Sequence, residues 1–211
     1  LIQNGIDVAK TTGATVNVAA GTFYENLIIR KNNLILNGAK AGVSGLDEAR
    51  DGGTGETQII ADGGSPGIFV NSNGVTIDGV SVRGGKIGIA GKDANDITVQ
   101  NSIIASSLGQ GIHLRNSDGF KVLSNKISGS GQDGIDIRQS TIGTIQDNAV
   151  YDTAQDAIDI DGSEYVDIIH NIVRGTMAGN GIEATGGHDV YVYNNDVANI
   201  SQRGILVSGA W

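Results

Sequence analysis

The sequence predicts an all-β chain, a single right-handed parallel β-helix of about eight or nine coils of about 23 residues, capped by a short N-terminal helix. Three observations carry this. The segments Gly67-Ile-Phe-Val, Gly88-Ile-Ala, Gly111-Ile-His-Leu, Gly134-Ile-Asp-Ile, Ala157-Ile-Asp-Ile, Gly181-Ile-Glu-Ala and Gly204-Ile-Leu-Val recur at intervals of 21, 23, 23, 23, 24 and 23 residues. Asn101, Asn125, Asn148, Asn171 and Asn195 keep step at 24, 23, 23 and 24, each followed two residues later by Ile or Val. Within each period, three short runs alternate apolar and polar residues, as in Gly111-Ile-His-Leu, Phe120-Lys-Val-Leu and Lys126-Ile-Ser. Alternation with period two is the strand signature, and runs this short bury a face only by stacking on their neighbours.

The whole chain, 1–211, reads as one domain. Residues 1–14 hold Leu1, Ile2, Ile6 and Ala9 at roughly helical spacing and read as a helical cap over the open end of the solenoid. Residues 15–66 form irregular first coils, with strands at Thr15-Val-Asn-Val, Asn26-Leu-Ile-Ile-Arg and Asn33-Leu-Ile-Leu. Polar, glycine-rich residues 39–57 have no period and read as a surface excursion. Residues 67–211 are the regular coils. Their inward ladder runs through Ile112, Leu114, Ile135, Ile137, Ile158, Ile160, Ile182, Ile205 and Val207. The asparagine column is expected at a turn, each amide bonding the coils above and below. The chain stops mid-coil at Val207-Ser-Gly-Ala-Trp211, so the rest of a longer parent chain or a second subunit is expected to cover that end.

Composition excludes several classes. With no cysteine there are no disulfides, no Cys-ligated zinc and no thiol chemistry. No apolar run approaches the ~20 residues of a membrane helix, so membrane insertion is not expected. A net charge of −9 disfavours nucleic acid. No phosphate loop, Gly-x-Ser-x-Gly or His-Glu-x-x-His motif occurs.

Chemistry concentrates on the outward positions of the Gly-Ile-x strands. One column reads Phe69, Ala90, His113, Asp136, Asp159, Glu183, Leu206, and the next reads Asn71, Lys92, Arg115, Arg138, Asp161, Thr185, Ser208. His113, Asp136, Asp159, Arg115 and Arg138 are the candidate catalytic set. Lys92, with the loop residues Asp133, Asp156 and Arg203, would contact substrate. Stacked carboxylates repel one another, and a cation or a raised pKa relieves them. Asp159, Asp161 and Glu183 are the expected calcium ligands, calcium being a hard cation that takes oxygen donors. A His beside an Asp is a proton carrier near neutral pH, and arginines hold carboxylates. These are the parts needed to abstract the proton alpha to a uronic acid carboxylate. The alternative is a non-catalytic structural or adhesion module of a large surface protein, with the polar columns solvated and ion-paired. Tyr191 and Tyr193 lie on another strand, where one is expected to pack and the other to be exposed.

The repeat resembles the right-handed parallel β-helix superfamily of pectate lyases, polygalacturonases and alginate-active enzymes. Ile2-Gln-Asn-Gly-Ile-Asp, Val16-Asn-Val-Ala-Ala-Gly-Thr-Phe-Tyr-Glu-Asn and Leu34-Ile-Leu-Asn-Gly-Ala resemble the opening of secreted bacterial β-helix proteins. Asp133-Gly-Ile-Asp-Ile-Arg138 is similar to the Tyr-Gly-Phe-Asp-Pro-His motif of mannuronan C-5-epimerases. Asp136 matches its Asp and Asp161 an acid on the next coil, while Asp133 and Arg138 replace its Tyr and His. Gln132-Asp133-Gly and Gln155-Asp156-Ala resemble polygalacturonase motifs, but Gly179-Asn-Gly181 and Gly204-Ile-Leu-Val lack that family's His, Arg and Lys. The resemblance implies a secreted or cell-surface domain directed at an acidic polysaccharide, as a lyase or C5-epimerase, with calcium.

Overall fold

Short β-branched runs that cannot stand alone are satisfied by lateral stacking, and a computed structural model shows how. It describes residues 1–10 and 12–209. Ala210 and Trp211, part of the expected C-terminal half-coil, lie outside the described residues. Among the described residues, one helix, Ile2–Val8, is followed by 24 strands that form three parallel sheets of eight strands each. The first sheet runs from Thr15–Asn17 to His188–Tyr193, the second from Gly21–Tyr24 to Asp196–Ile200, and the third from Leu27–Ile29 to Ile205–Ser208. Each coil gives one strand to each sheet, so residues one period apart become neighbours. No helix among the described residues is long and apolar enough to cross a membrane.

The interior is aliphatic. Ile112, Ile135, Ile158 and Ile182 stack in register and are buried, as are Leu114, Ile137, Ile160 and Ala184 beside them. Each fully buried Ile or Leu contributes roughly 1.5–3 kcal/mol. In the last described strand of that sheet, Ile205 and Val207 remain exposed. The helix is shorter than residues 1–14. Glu25 accepts the Ile2 and Gln3 amides at 2.7 and 3.1 Å, and Lys31 caps the Asp7 and Ala9 carbonyls at 2.6 and 2.5 Å. A carboxylate at the start and an ammonium at the end suit the helix dipole.

The asparagine column lies between the first and second sheets. Asn125, Asn148 and Asn171 are fully buried. Each side-chain carbonyl accepts the amide one coil earlier: Asn125 N to Asn148 at 2.9 Å, Asn148 N to Asn171 at 3.0 Å, Asn171 N to Asn195 at 2.9 Å. Asn101 is not part of this ladder, which corrects the sequence reading. Ser102 donates to Asn125, while Asn101 takes the left-handed position (φ 52°) shared by Ser124, Asp147, His170 and Asn194. Asparagine tolerates that conformation, so two adjacent columns carry it for different reasons.

No strand lies between Asn37 and Thr57. The excursion is pinned by buried Arg50, whose Nε and Nη2 donate to Glu56 at 2.8 and 2.7 Å and whose Nη1 donates to the Asn101 carbonyl at 2.5 Å. Gly45 N donates to the Ser124 carbonyl at 2.8 Å. The excursion therefore covers the corner between the first and second sheets, away from the outward face of the third. Tyr191 and Tyr193 are both exposed, against expectation, because positions two apart on a strand share a face.

Candidate functional site

The third sheet aligns the two outward columns in register. Ala90, His113, Asp136, Asp159, Glu183 and Leu206 are successive partners, as are Lys92, Arg115, Arg138, Asp161, Thr185 and Ser208. The centre is Asp136, which is fully buried although its strand position faces outward. His113 Nδ1 meets Asp136 Oδ2 at 2.8 Å, Arg138 Nε donates to Oδ1 and Oδ2 at 2.8 and 3.1 Å, and Gln110 Nε2 donates to Oδ2 at 3.2 Å. Arg138 Nη2 also lies 3.8 Å from Asp159 Oδ2. Asp133, in the loop entering the same strand, completes a group of three carboxylates with Asp136 and Asp159, their oxygens within 4.8 Å of one another.

Three carboxyls this close cannot all ionise freely, and their environments push them apart. Burial opposes ionisation of Asp136, but hydrogen bonds from His113 and Arg138 outweigh it and hold the carboxyl below its ordinary range. Burial and the Asp136 charge push Asp133 up to about 6. Burial and the charges of Asp136 and Asp133 push Asp159 up to about 7. Asp159 thus keeps its proton on about half of the molecules near neutral pH.

These shifts carry a stability prediction. Unfolded, Asp133 and Asp159 ionise near 3.8. Between about pH 4 and 7 the folded state binds more protons, so their contribution declines as pH rises and levels off above 7. Asp136 has the opposite sign, supporting the fold above its unfolded value and ceasing to do so as pH falls. Asp159→Asn should gain on the order of 2 kcal/mol over wild type at about pH 8 and nothing at about pH 4. Denaturant melts at both pH values check this, and equal differences would refute it.

The remaining predicted residues separate. Lys92 and Arg115 are exposed on the neighbouring column, and Arg115 bonds Gln139 at 3.1 and 3.2 Å. Asp133, Asp156 and Asn180 form a loop ladder: Asp133 Oδ1 accepts Asp156 N at 3.0 Å, Asp156 accepts Asn180 N, and Asn180 Oδ1 accepts Arg203 N at 3.1 Å. Asp133, expected to contact substrate, is therefore buried and structural as well as acidic. Arg203 is exposed three coils past Asp133 and does not join the cluster. Sequence reasoning missed Gln110, which occupies the loop position of Asp133 one coil earlier.

Residues 50–197 match the profile of the right-handed β-helix region. The chain belongs to the right-handed β-helix family. No curated protein sequence matches it. Among solved structures it is similar to the alginate lyase from Paenibacillus sp. str. FPU-7, with TM-score 0.76 and 17% identity over 92% of this chain and 72% of that one. It is also similar to a point-mutant form of the periplasmic alginate epimerase AlgG, with TM-score 0.49 and 14% identity over 88% and 58%. The mannuronan C-5 epimerase AlgE4 A-module from Azotobacter vinelandii gives TM-score 0.39 and 13% identity over 97% and 92%. At these identities the likeness concerns the fold.

In this β-helix protein the expected calcium donors are not gathered. Asp161 is exposed beside Arg138, and Glu183 Oε2 accepts the Asn180 amide at 2.5 Å. Neither belongs to the close carboxylate group, which among the described residues is Asp133, Asp136 and Asp159. There both Asp136 oxygens are occupied by His113, Arg138 and Gln110, and the guanidinium brings its own positive charge. A hard dication needing six to eight oxygens does not fit this donor set, so the chemistry below runs through none.

Proposed function

We propose that this protein is a polyuronate lyase that cleaves an acidic polysaccharide by β-elimination on the open face of the third sheet. The observation that carries the proposal is a His113–Asp136 pair in register with a carboxyl, Asp159, that keeps a proton near neutral pH. With Nδ1 turned to Asp136, His113 offers Nε2 as the base for the uronate C5 proton. The C5–H electron pair forms the C4=C5 bond, the C4–O4 bond breaks, and Asp159 gives its proton to the departing O4. Arg138 holds Asp136 ionised and in place. Arg115 and Lys92 neutralise the substrate carboxylate, which acidifies C5.

Base and acid come from one sheet face. Elimination with the proton and leaving oxygen on the same side of the ring suits that arrangement. Epimerisation needs a second proton donor on the opposite side of the ring, whereas His113 and Asp159 stand on one face of the third sheet. The solved alginate lyase with this fold supports the substrate class. A polymeric substrate of this kind is met outside the cytoplasm, so we assign the protein to the secreted or cell-surface compartment.

Alginate and polygalacturonate, each with and without EDTA, provide the test. The expected result is rising ultraviolet absorbance from the conjugated C4=C5 bond with at least one polymer, unaffected by chelation. Inverted C5 signals in the proton NMR spectrum without new double bonds would make the protein an epimerase. Binding with no chemical change would make it an adhesion module.

A further inference from the structure

We propose that the polyuronate is held on one side of the reacting centre only: the chain lies over Phe69, Lys92, Arg115 and Arg138 and ends over Asp161 and Glu183, so cleavage proceeds from a chain end. This rests on the polyuronate reading above.

Lys92, Arg115 and Arg138 occupy one column in three consecutive coils. Like charges directly opposite in a sheet are destabilising, and a strip serving only stability would alternate in sign. Here it does not, in a chain of net charge −9. Lys92 and Arg115 are exposed, and Arg115 bonds a neutral glutamine rather than a carboxylate. A polyanion lying along the solenoid axis relieves that repulsion, with one coil rising ~4.8 Å per step. On the same side, half-buried Phe69 lies two coils before His113 on the reacting column, an aromatic side chain of the kind that stacks on sugar rings.

The sign reverses on the next coil. Asp161 is the partner of Arg138, and Glu183 the partner of Asp159. Thr185 and Ser208 then continue the column without charge. Asp159, two coils past His113, is the acid for the departing O4, so the leaving sugar lies toward Asp161 and Glu183. A single sugar fits over the neutral Asp159 carboxyl. A longer uronate run there faces two carboxylates with no cation among the outward residues of the following coils in this sheet. The departing O4 belongs to the sugar on the non-reducing side, so short pieces leave from the non-reducing end.

Calorimetric titration with mannuronate oligomers of about two to eight sugars at low salt tests this, alongside mass spectrometry of an alginate digest. In wild type, affinity should rise with length and level off near about four sugars, the span from Phe69 to Arg138. Lys92→Gln should weaken the longer oligomers roughly fivefold. The double variant Asp161→Asn with Glu183→Gln should remove the plateau and tighten the longest oligomer roughly fivefold. An affinity that climbs over the whole range in wild type, or a double variant no tighter than wild type, overturns the proposal. The digest separates the two readings. Unsaturated fragments of intermediate size from the first minutes would overturn end-wise action and leave the lyase standing. The predicted binding pattern without any unsaturated product would sink the lyase and leave the one-sided track.

Discussion

Asn148→Leu, which keeps the heavy-atom count and branching of the side chain, should lower the unfolding free energy by about 4 kcal/mol. Asn148 sits in the middle of the buried ladder. Its Oδ1 accepts the Asn125 backbone amide at 2.9 Å and the Asn125 Nδ2 at 3.0 Å. Its Nδ2 donates to the Val122 carbonyl at 2.8 Å and to Asn171 Oδ1 at 3.0 Å. Leucine removes the partner of two donors and two acceptors at a fully buried position, and each stranded buried group costs about 1–3 kcal/mol. The defect is not local, because the ladder couples the turn of one coil to the next. Denaturant melts should show the loss, with a fall in the thermal midpoint of roughly 8–15 °C for a chain of this size. Asn194→Gly, in the exposed column one residue away, keeps the left-handed backbone (φ 56°) without strain and should change stability by less than about 0.5 kcal/mol. Equal effects of the two substitutions would show that the buried ladder has no special role.

Asp136→Asn should reduce turnover of polyuronate by roughly a thousandfold, the order expected when the carboxylate orienting a catalytic imidazole becomes an amide. Asparagine keeps the shape but turns an NH2 toward either His113 or Arg138, both of which donate to Asp136 now. The ring then loses the acceptor that holds Nδ1, and the guanidinium loses one of its two oxygens. Asp136 is a positioning residue, so a second readout separates orientation from simple unfolding. The Asp136 charge is the second-largest cause, after burial, of the high Asp159 value. Its removal should move the alkaline limb of the residual pH–rate profile to lower pH, since Asp159 would give up its proton sooner. A variant with the same residual profile as wild type would contradict this coupling, and one with full activity would end the proposed mechanism.

Much of this was legible from residue spacing. A solenoid makes residues one period apart into neighbours, so the columns His113, Asp136, Asp159 and Lys92, Arg115, Arg138 could be written down before any coordinates, and the strand register reproduces them. The inward ladder was legible for the same reason. The ladder at Asn101 was misread by one residue because two adjacent columns both accept asparagine, one for its amide and one for its left-handed backbone. The site was legible in outline only. Asp136 stands at an outward position, and nothing in the alternation says that His113, Arg138 and Gln110 close over it.

The sequence by itself determined the solenoid, its period, its aliphatic interior and the order of charges along one face, because each follows from repetition and from alternation with period two. Only the tertiary structure decided which carboxyls share a space. Asp133 reaches the cluster through the turn of its loop, and Glu183 leaves it for the Asn180 amide. Proximity then separates three chemically identical side chains into one held ionised and two whose ionisation is pushed up toward neutral pH. Ionisation depends on distance and desolvation, which residue identity does not encode, so the acid and the positioning base of this site exist only in the folded chain.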